Sequence, residues 1–247
     1  SNPYFYDGTA WRRLYLYDTP PGPGVPDTDW DSVLLRIPFN GDANDVKSNI
    51  TPTVDSTIDI VGSPVRYGSG SVRIQGTDTI RYPVNFEFLE DQFTIEFWIY
   101  FDQFNGNAMR SPRNIFQKQQ TSPIRVGTGF IYDCIGNTSS ESVTFGTMNY
   151  SNGNERLSWP SLLMSTETWY HLAYVRNDVN GQITLYVNGA SQGSINGNNL
   201  VDDSTYNLFI GNEGNGNADF FIDDLRISNI ERYTTSFVPP SAELPTS

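Results

Sequence analysis

The run from residue 169 to 194, Trp-Tyr-His-Leu-Ala-Tyr-Val-Arg-Asn-Asp-Val-Asn-Gly-Gln-Ile-Thr-Leu-Tyr-Val-Asn-Gly-Ala-Ser-Gln-Gly-Ser, leaves this chain few folds to choose from. His171, Ala173 and Val175 alternate with Tyr170, Leu172 and Tyr174, the period of two that gives a strand two distinct faces. Residues 177–181 form a five-residue turn rich in Asn, Asp and Gly, which tolerate positive φ. A second strand follows, with Ile183, Leu185 and Val187 on one face and Thr184 and Tyr186 on the other. Asn188-Gly189 then supplies a two-residue hairpin signal, because a type I′ turn needs φ > 0 twice. The run therefore predicts a three-stranded antiparallel meander.

Further short β patterns recur along the chain at intervals of roughly 8 to 15 residues, the spacing of a sandwich. They fall at 33–39, 71–74, 79–82, 93–101, 114–117, 129–135, 142–148, 206–211 and 219–227. Gly, Asn and Ser fill most gaps, and no long helical period interrupts the series, so an all-β fold is expected.

Three of these patterns, taken with the meander, carry a resemblance. Gly68-Ser-Gly-Ser-Val-Arg-Ile, Phe93-Thr-Ile-Glu-Phe-Trp-Ile-Tyr and Phe221-Ile-Asp-Asp-Leu-Arg-Ile-Ser occur in the order seen in laminin-G-like domains. The chain resembles that family, which has the concanavalin A-like lectin/glucanase architecture. The resemblance implies a jelly-roll sandwich of two antiparallel sheets over residues 30–240, followed by a short tail at 241–247. The ending Arg232-Tyr-Thr-Thr-Ser-Phe-Val-Pro-Pro is similar to the variant found in phage and bacterial surface proteins.

Composition narrows the partners. Lys plus Arg number 15 against 28 Asp plus Glu, a formal charge of −13, which repels phosphate backbones and anionic lipid. Neither nucleic acid nor membrane insertion is expected, and no run of about 18 apolar residues exists to span a bilayer. The single cysteine, Cys134, excludes an internal disulfide and sits in an alternating strand pattern that predicts a buried small hydrophobe. The 15 Phe, 14 Tyr and 5 Trp supply a large core instead.

Ahead of the sandwich, residues 1–18 read as an aromatic arm, with Asp7-Gly8 between aromatic runs as a hairpin signal. So short a segment cannot hold a core of its own. Tyr4, Phe5, Trp11, Arg12 and Arg13 must pack on the sandwich as an edge hairpin or on a partner chain as an attachment element. Residues 19–29 form a proline-rich, semi-stiff linker.

Residues of this kind could serve three chemistries. Polysaccharide-cleaving relatives of the fold carry Glu-x-Asp-x-x-Glu on one strand, and this chain lacks the motif; Glu90, Asp91 and Glu96 are wrongly spaced. The only histidine, His171, reads as a packed strand residue, so no catalytic residues are assigned and the protein is not expected to be an enzyme. A polar loop offers Asn40, Asp42, Asn44, Asp45 and Asn49, the hard oxygens that calcium prefers. Laminin-G-like domains often hold a structural calcium ion between the loop after the first strand and the final Ile-Asp-Asp strand. By that resemblance Asp42, Asp45, Asp223 and Asp224 are candidate Ca2+ ligands. For carbohydrate, loops carrying Tyr150, Asn152, Asn198, Asn212 and Asn215 supply amides, and Trp159, Tyr150 and Tyr206 are candidate platforms for a sugar face.

These readings converge on a non-catalytic binding module at the extracellular or virion surface. It would recognise host-surface carbohydrate as part of a phage fibre or capsid decoration, with strength from many copies or a homo-oligomer. The arm would hold it to other virion structural proteins. A cement protein with no sugar ligand is the alternative, and a glycan hydrolase the remote one.

Overall fold

The computed structural model describes residues 26–104, 113–120, 126–135, 139–151, 155–211 and 218–247, and the backbone of 4–6 and 11–13. Strands β1 (Tyr4–Tyr6) and β2 (Trp11–Arg13) pair with each other as a separate antiparallel ribbon. The two strands pair in the register a hairpin would give, while the Asp7-Gly8 turn and the side chains of Tyr4, Phe5, Trp11, Arg12 and Arg13 lie outside the described residues. A 3₁₀ turn, Trp30–Ser32, leads into the sandwich.

The sandwich strands are β3 (Val33–Ile37), β4 (Thr53–Val54), β5 (Ile60–Val61), β6 (Ser71–Gly76), β7 (Thr79–Tyr82) and β8 (Phe93–Tyr100). Next come β9 (Arg113–Gln120), β10 (Val126–Ile135), β11 (Ser140–Asn149), β12 (Glu155–Ser158) and β13 (Leu162–Ser165). The chain finishes with β14 (Trp169–Arg176), β15 (Gln182–Val187), β16 (Ala190–Asn196), β17 (Asn207–Gly211) and β18 (Ala218–Ser228). Among the described residues they form two eight-stranded antiparallel sheets. Sheet I runs β16-β15-β14-β8-β18-β6-β5, with β3 also on β18; sheet II runs β12-β11-β10-β9-β17-β7-β4, with β13 also on β11.

The predicted meander is β14-β15-β16, with Asn188 and Gly189 both at positive φ as the type I′ turn requires. Leu172, Tyr174, Ile183 and Leu185 enter the core between the sheets. There Phe97 and Phe116 meet edge to face at 4.8 Å, and Phe130 packs on Tyr174 at 5.0 Å. Each such buried side chain contributes about 1.5–3 kcal/mol. Cys134 is buried among them, as its strand pattern predicts.

The outer face of sheet I is buried too, because the C-terminal segment doubles back across it. Ala173, Val175 and Tyr186 pack under Tyr233 and Phe237 in a second apolar cluster, with the last two rings stacked at 3.6 Å. Beside it lies a charged network. Arg226 donates to Glu96 Oε1 at 2.6 and 2.9 Å and to Asp27 Oδ2 at 2.7 Å, Arg232 reaches Asp27, and Tyr233 donates to Glu96 Oε2. Burial works to raise the Glu96 carboxyl, but the Arg226 guanidinium, His171 and Arg232 together outweigh it and hold the group well below the carboxylate range. His171 is fully buried between Trp98 and Phe237, the packed strand residue its pattern predicts.

The sandwich therefore reaches past both expected boundaries. Asp27 and Asp29, at the end of the linker reading, are buried. In the expected tail, Leu244 is 2% exposed and bonds Asp224, and Ser247 O accepts from Asp27 N at 3.0 Å. Buried ion pairs and chain-end contacts link residues distant in sequence, and no local pattern announces them.

Candidate functional site

Loops gather at the end of the sandwich where β8 begins and β14 ends. The connection between β7 and β8 is held to that between β16 and β17 through Asp202, whose Oδ2 accepts from the Phe88 and Leu89 amides at 2.8 and 3.0 Å. Lys118, 1% exposed, pairs with Asp202 at 2.9 Å and donates to the Asp203 and Tyr206 carbonyls. Ser204 N donates to Glu87, Asn149 Nδ2 donates to Asn199 O at 2.6 Å, and Gly197 N donates to Gly181 O. Arg176 fixes the lower rim by donating to the carbonyls of Glu90 and Asp91.

This frame surrounds a cleft of about 240 Å3 lined by Glu87, Phe88, Asp91, Gln92, Asp178 and Asn229. Phe88 is buried, whereas Glu87, Asp91, Asp178 and Asn229 are exposed. Three carboxylates accept hydrogen bonds from hydroxyl donors, and the two amides donate and accept. The lining suits a neutral, hydroxyl-rich ligand and repels an anionic one. Of these six residues the sequence points only to Asp91, and that as part of a wrongly spaced hydrolase motif rather than as a sugar contact. The available signal was acidic and amide residues in loops flanking the paired strands β8 and β14.

The structure brings some predicted carbohydrate residues to this end but turns two rings inward. Tyr150 is 8% exposed and its hydroxyl donates to Asn114 Oδ1. Trp159 is 3% exposed, donates Nε1–H to Gly193 O at 3.0 Å and packs 5.7 Å from Tyr174. Its backbone N–H donates to Phe145 O, continuing the β11–β12 ladder so that the ring faces the core. Tyr150 and Trp159 therefore present no ring to a sugar. Tyr206 remains half exposed and Asn198 is exposed on the neighbouring loop. Asn152, Asn212 and Asn215 lie outside the described residues.

The four acids expected to bind calcium have other partners. Asp42 accepts from the backbone and side-chain amides of Asn44. Asp45, 1% exposed, accepts from the Arg36, Lys47 and Ser48 amides at 2.9–3.0 Å. Asp223 Oδ2 accepts from the Arg66 and Tyr67 amides. Asp224 pairs with Arg36 and accepts from Leu244 N. N–H groups thus face all four carboxylates, and Oδ1 of Asp223 is a buried oxygen without a hydrogen-bond partner among the described residues. Among the described residues no group of three or more His, Cys, Asp or Glu side chains is arranged to hold a metal.

A bulge in β18 between Asp223 and Arg226 keeps the Asp223-Asp224 doublet from alternating to opposite faces as a regular strand would. Asp223 sits opposite Trp98, Arg226 opposite Glu96, and Asp224 takes φ 56°. Both acids therefore reach the outer face of sheet I, while Ile222 and Leu225 point into the core.

A family profile described as the concanavalin A-like lectin/glucanases superfamily matches residues 75–235. No curated protein matches the chain in sequence. Among solved structures, the binding domain of botulinum neurotoxin serotype D aligns at TM-score 0.59 and 16% identity, over 82% of this chain and 49% of that one. The binding domain of botulinum neurotoxin DC, solved in complex with SialylT, aligns at 0.54 and 15%, over 82% and 48%. Domain 4 of an extracellular arabinanase from Geobacillus stearothermophilus, solved with arabinotriose, aligns at 0.55 and 19%, over 80% and 92%. The chain spans about half the length of the neurotoxin domains it matches, and at these identities the likeness is one of fold.

Proposed function

The chain belongs to the concanavalin A-like lectin/glucanases superfamily, and from that premise we propose that it is a non-catalytic module binding neutral surface glycans. The observation that carries this reading is the loop-borne cleft, with three carboxylates and two amides around an opening of about 240 Å3. Hydroxyl donors of a neutral sugar satisfy those carboxylates, whereas a sialylated or uronic chain meets like charge there and across a surface of net charge −13. The arabinotriose complex of the similarly folded arabinanase domain supports the choice of a neutral ligand class. A binding rather than hydrolytic role is supported by the missing Glu-x-Asp-x-x-Glu motif. It is supported also by the burial of Glu96 and Asp223, whose protonation is strongly displaced, within the fold rather than in the cleft lining. Display on a virion or cell surface through the N-terminal ribbon is part of the same proposal, since β1 and β2 pair only with each other among the described strands.

The test is a glycan array probed with a multivalent form of the protein. Binding to neutral glycans is expected, with Asp91→Asn and Asp178→Asn each weakening it about tenfold, the worth of one hydrogen bond to a charged group. Binding confined to sialylated glycans would overturn the ligand class. Silence across the array from a folded sample would favour a coat or cement protein held by its arm. Release of reducing ends from a polysaccharide panel would favour a hydrolase.

A further inference from the structure

Arg36, on the first strand of the sandwich, is fully buried, and its guanidinium lies among oxygens drawn from two distant parts of the chain. Nη2 bonds Asp224 Oδ1 and donates to Leu244 O at 2.8 Å. Nη1 donates to Leu225 O at 3.5 Å, and Nε to Pro245 O at 3.4 Å. Glu243 Oε1 stands 3.7 Å from Nη2 and is itself held by Asn40 Nδ2 at 2.8 Å. The shell thus comprises two carboxylates and three backbone carbonyls around one positive charge. Carboxylates plus backbone carbonyls are also the donor types that enclose a calcium ion.

The place is informative as well. Asp45, on the loop after β3, accepts from the Arg36 amide, and Asp224 belongs to the final strand. These are the two regions between which the family resemblance led us to expect a structural ion. Among the described residues Asp224 is the one candidate acid in an ion pair, and its cation is a side chain. We propose that Arg36 is the resident cation of this jelly roll, its guanidinium filling the oxygen shell that a structural calcium ion would otherwise require. An arginine is suited to the role because it stays charged at all working pH and its planar fork of five N–H groups can serve several oxygens at once. Joining the final strand to residues 243–245 then needs no divalent ion from solution.

Thermal melts of the whole chain test this without reference to any sugar. The parent protein is expected to melt at the same temperature in EDTA and in excess CaCl2. Arg36→Ala is expected to melt lower in EDTA and to recover part of the loss in CaCl2, because Asp224 and the carbonyls then face an unfilled space. Arg36→Lys keeps the charge but not the fork, and should melt between the two without responding to calcium. A parent Tm that rises with calcium, with the rise abolished by Asp224→Asn, would overturn the proposal. So would an Arg36→Ala variant that folds and is as blind to calcium as its parent. Should Arg36→Ala fail to fold, the parent and Arg36→Lys melts decide the matter in the same two senses.

Discussion

Asp223 keeps its carboxyl inside the protein, with Oδ2 capped by two backbone amides and Oδ1 buried without a hydrogen-bond partner among the described residues. Burial, reinforced by the neighbouring Asp224 and only partly offset by the amides, pushes it up to about 7 from the usual 3.8. The unfolded chain releases this proton near 3.8, whereas the folded chain holds it to about 7, so the stability it lends is fully present below the first value and is lost as pH rises through the second. The Tm should therefore fall across that window, and Asp223→Asn should flatten the fall. An unchanged slope in the variant would assign the titration to another group. Glu96 does not mask the effect, because its carboxyl is shifted the other way and titrates on the acid side of its usual 4.5. At this scale the sequence was least legible. Asp42, Asp45, Asp223 and Asp224 have the composition of an ion site, but three cap backbone or side-chain amides and the fourth pairs with Arg36. A carboxylate's role depends on what the fold aims at it, and those groups come from residues far along the chain.

Strands β14 and β15 were legible because their alternation and the Asn188-Gly189 turn are local signals. Strands β4 and β5, at two residues each, and the four-residue β12 and β13 carry too little pattern to be read, and they lie at or near sheet edges. Trp159, a candidate sugar platform by sequence, directly follows the four-residue β12, and the ladder bond to Phe145 that turns it inward is invisible in sequence. The C-terminal segment is the other element that pattern could not place. Phe237 N donates to Gly189 O at 2.9 Å, and a Cβ on Gly189 would meet Phe237 O at 1.8 Å, so the type I′ turn doubles as a docking point. Removing residues 241–247 should accordingly cost more than trimming a tail. Leu244 leaves its buried seat and Asp224 loses its backbone donor, a loss of about 3–5 kcal/mol read as a lower denaturant midpoint. A truncated chain with an unaltered midpoint would show that residues 241–247 add nothing to the fold.

For the molecule as a whole, fold class followed from the spacing of β patterns and sheet number from the family resemblance, whereas the cleft did not, because three connections distant in sequence line it. The same long-range logic sets where the arm can be cut. Removing residues 1–25 should leave Tm and glycan affinity unchanged while abolishing assembly. A cut that also takes Asp27 strips Arg226 and Arg232 of a shared buried partner and should lower the Tm. Loss of sugar binding on removing 1–25 alone would instead make the arm part of the site. One contact reaches further: Asp27 N meets Ser247 O at 3.0 Å, so the sandwich's entry and exit lie side by side. A body closed like a clasp can be spliced into a surface turn of another protein with the host's two flanks scarcely parted.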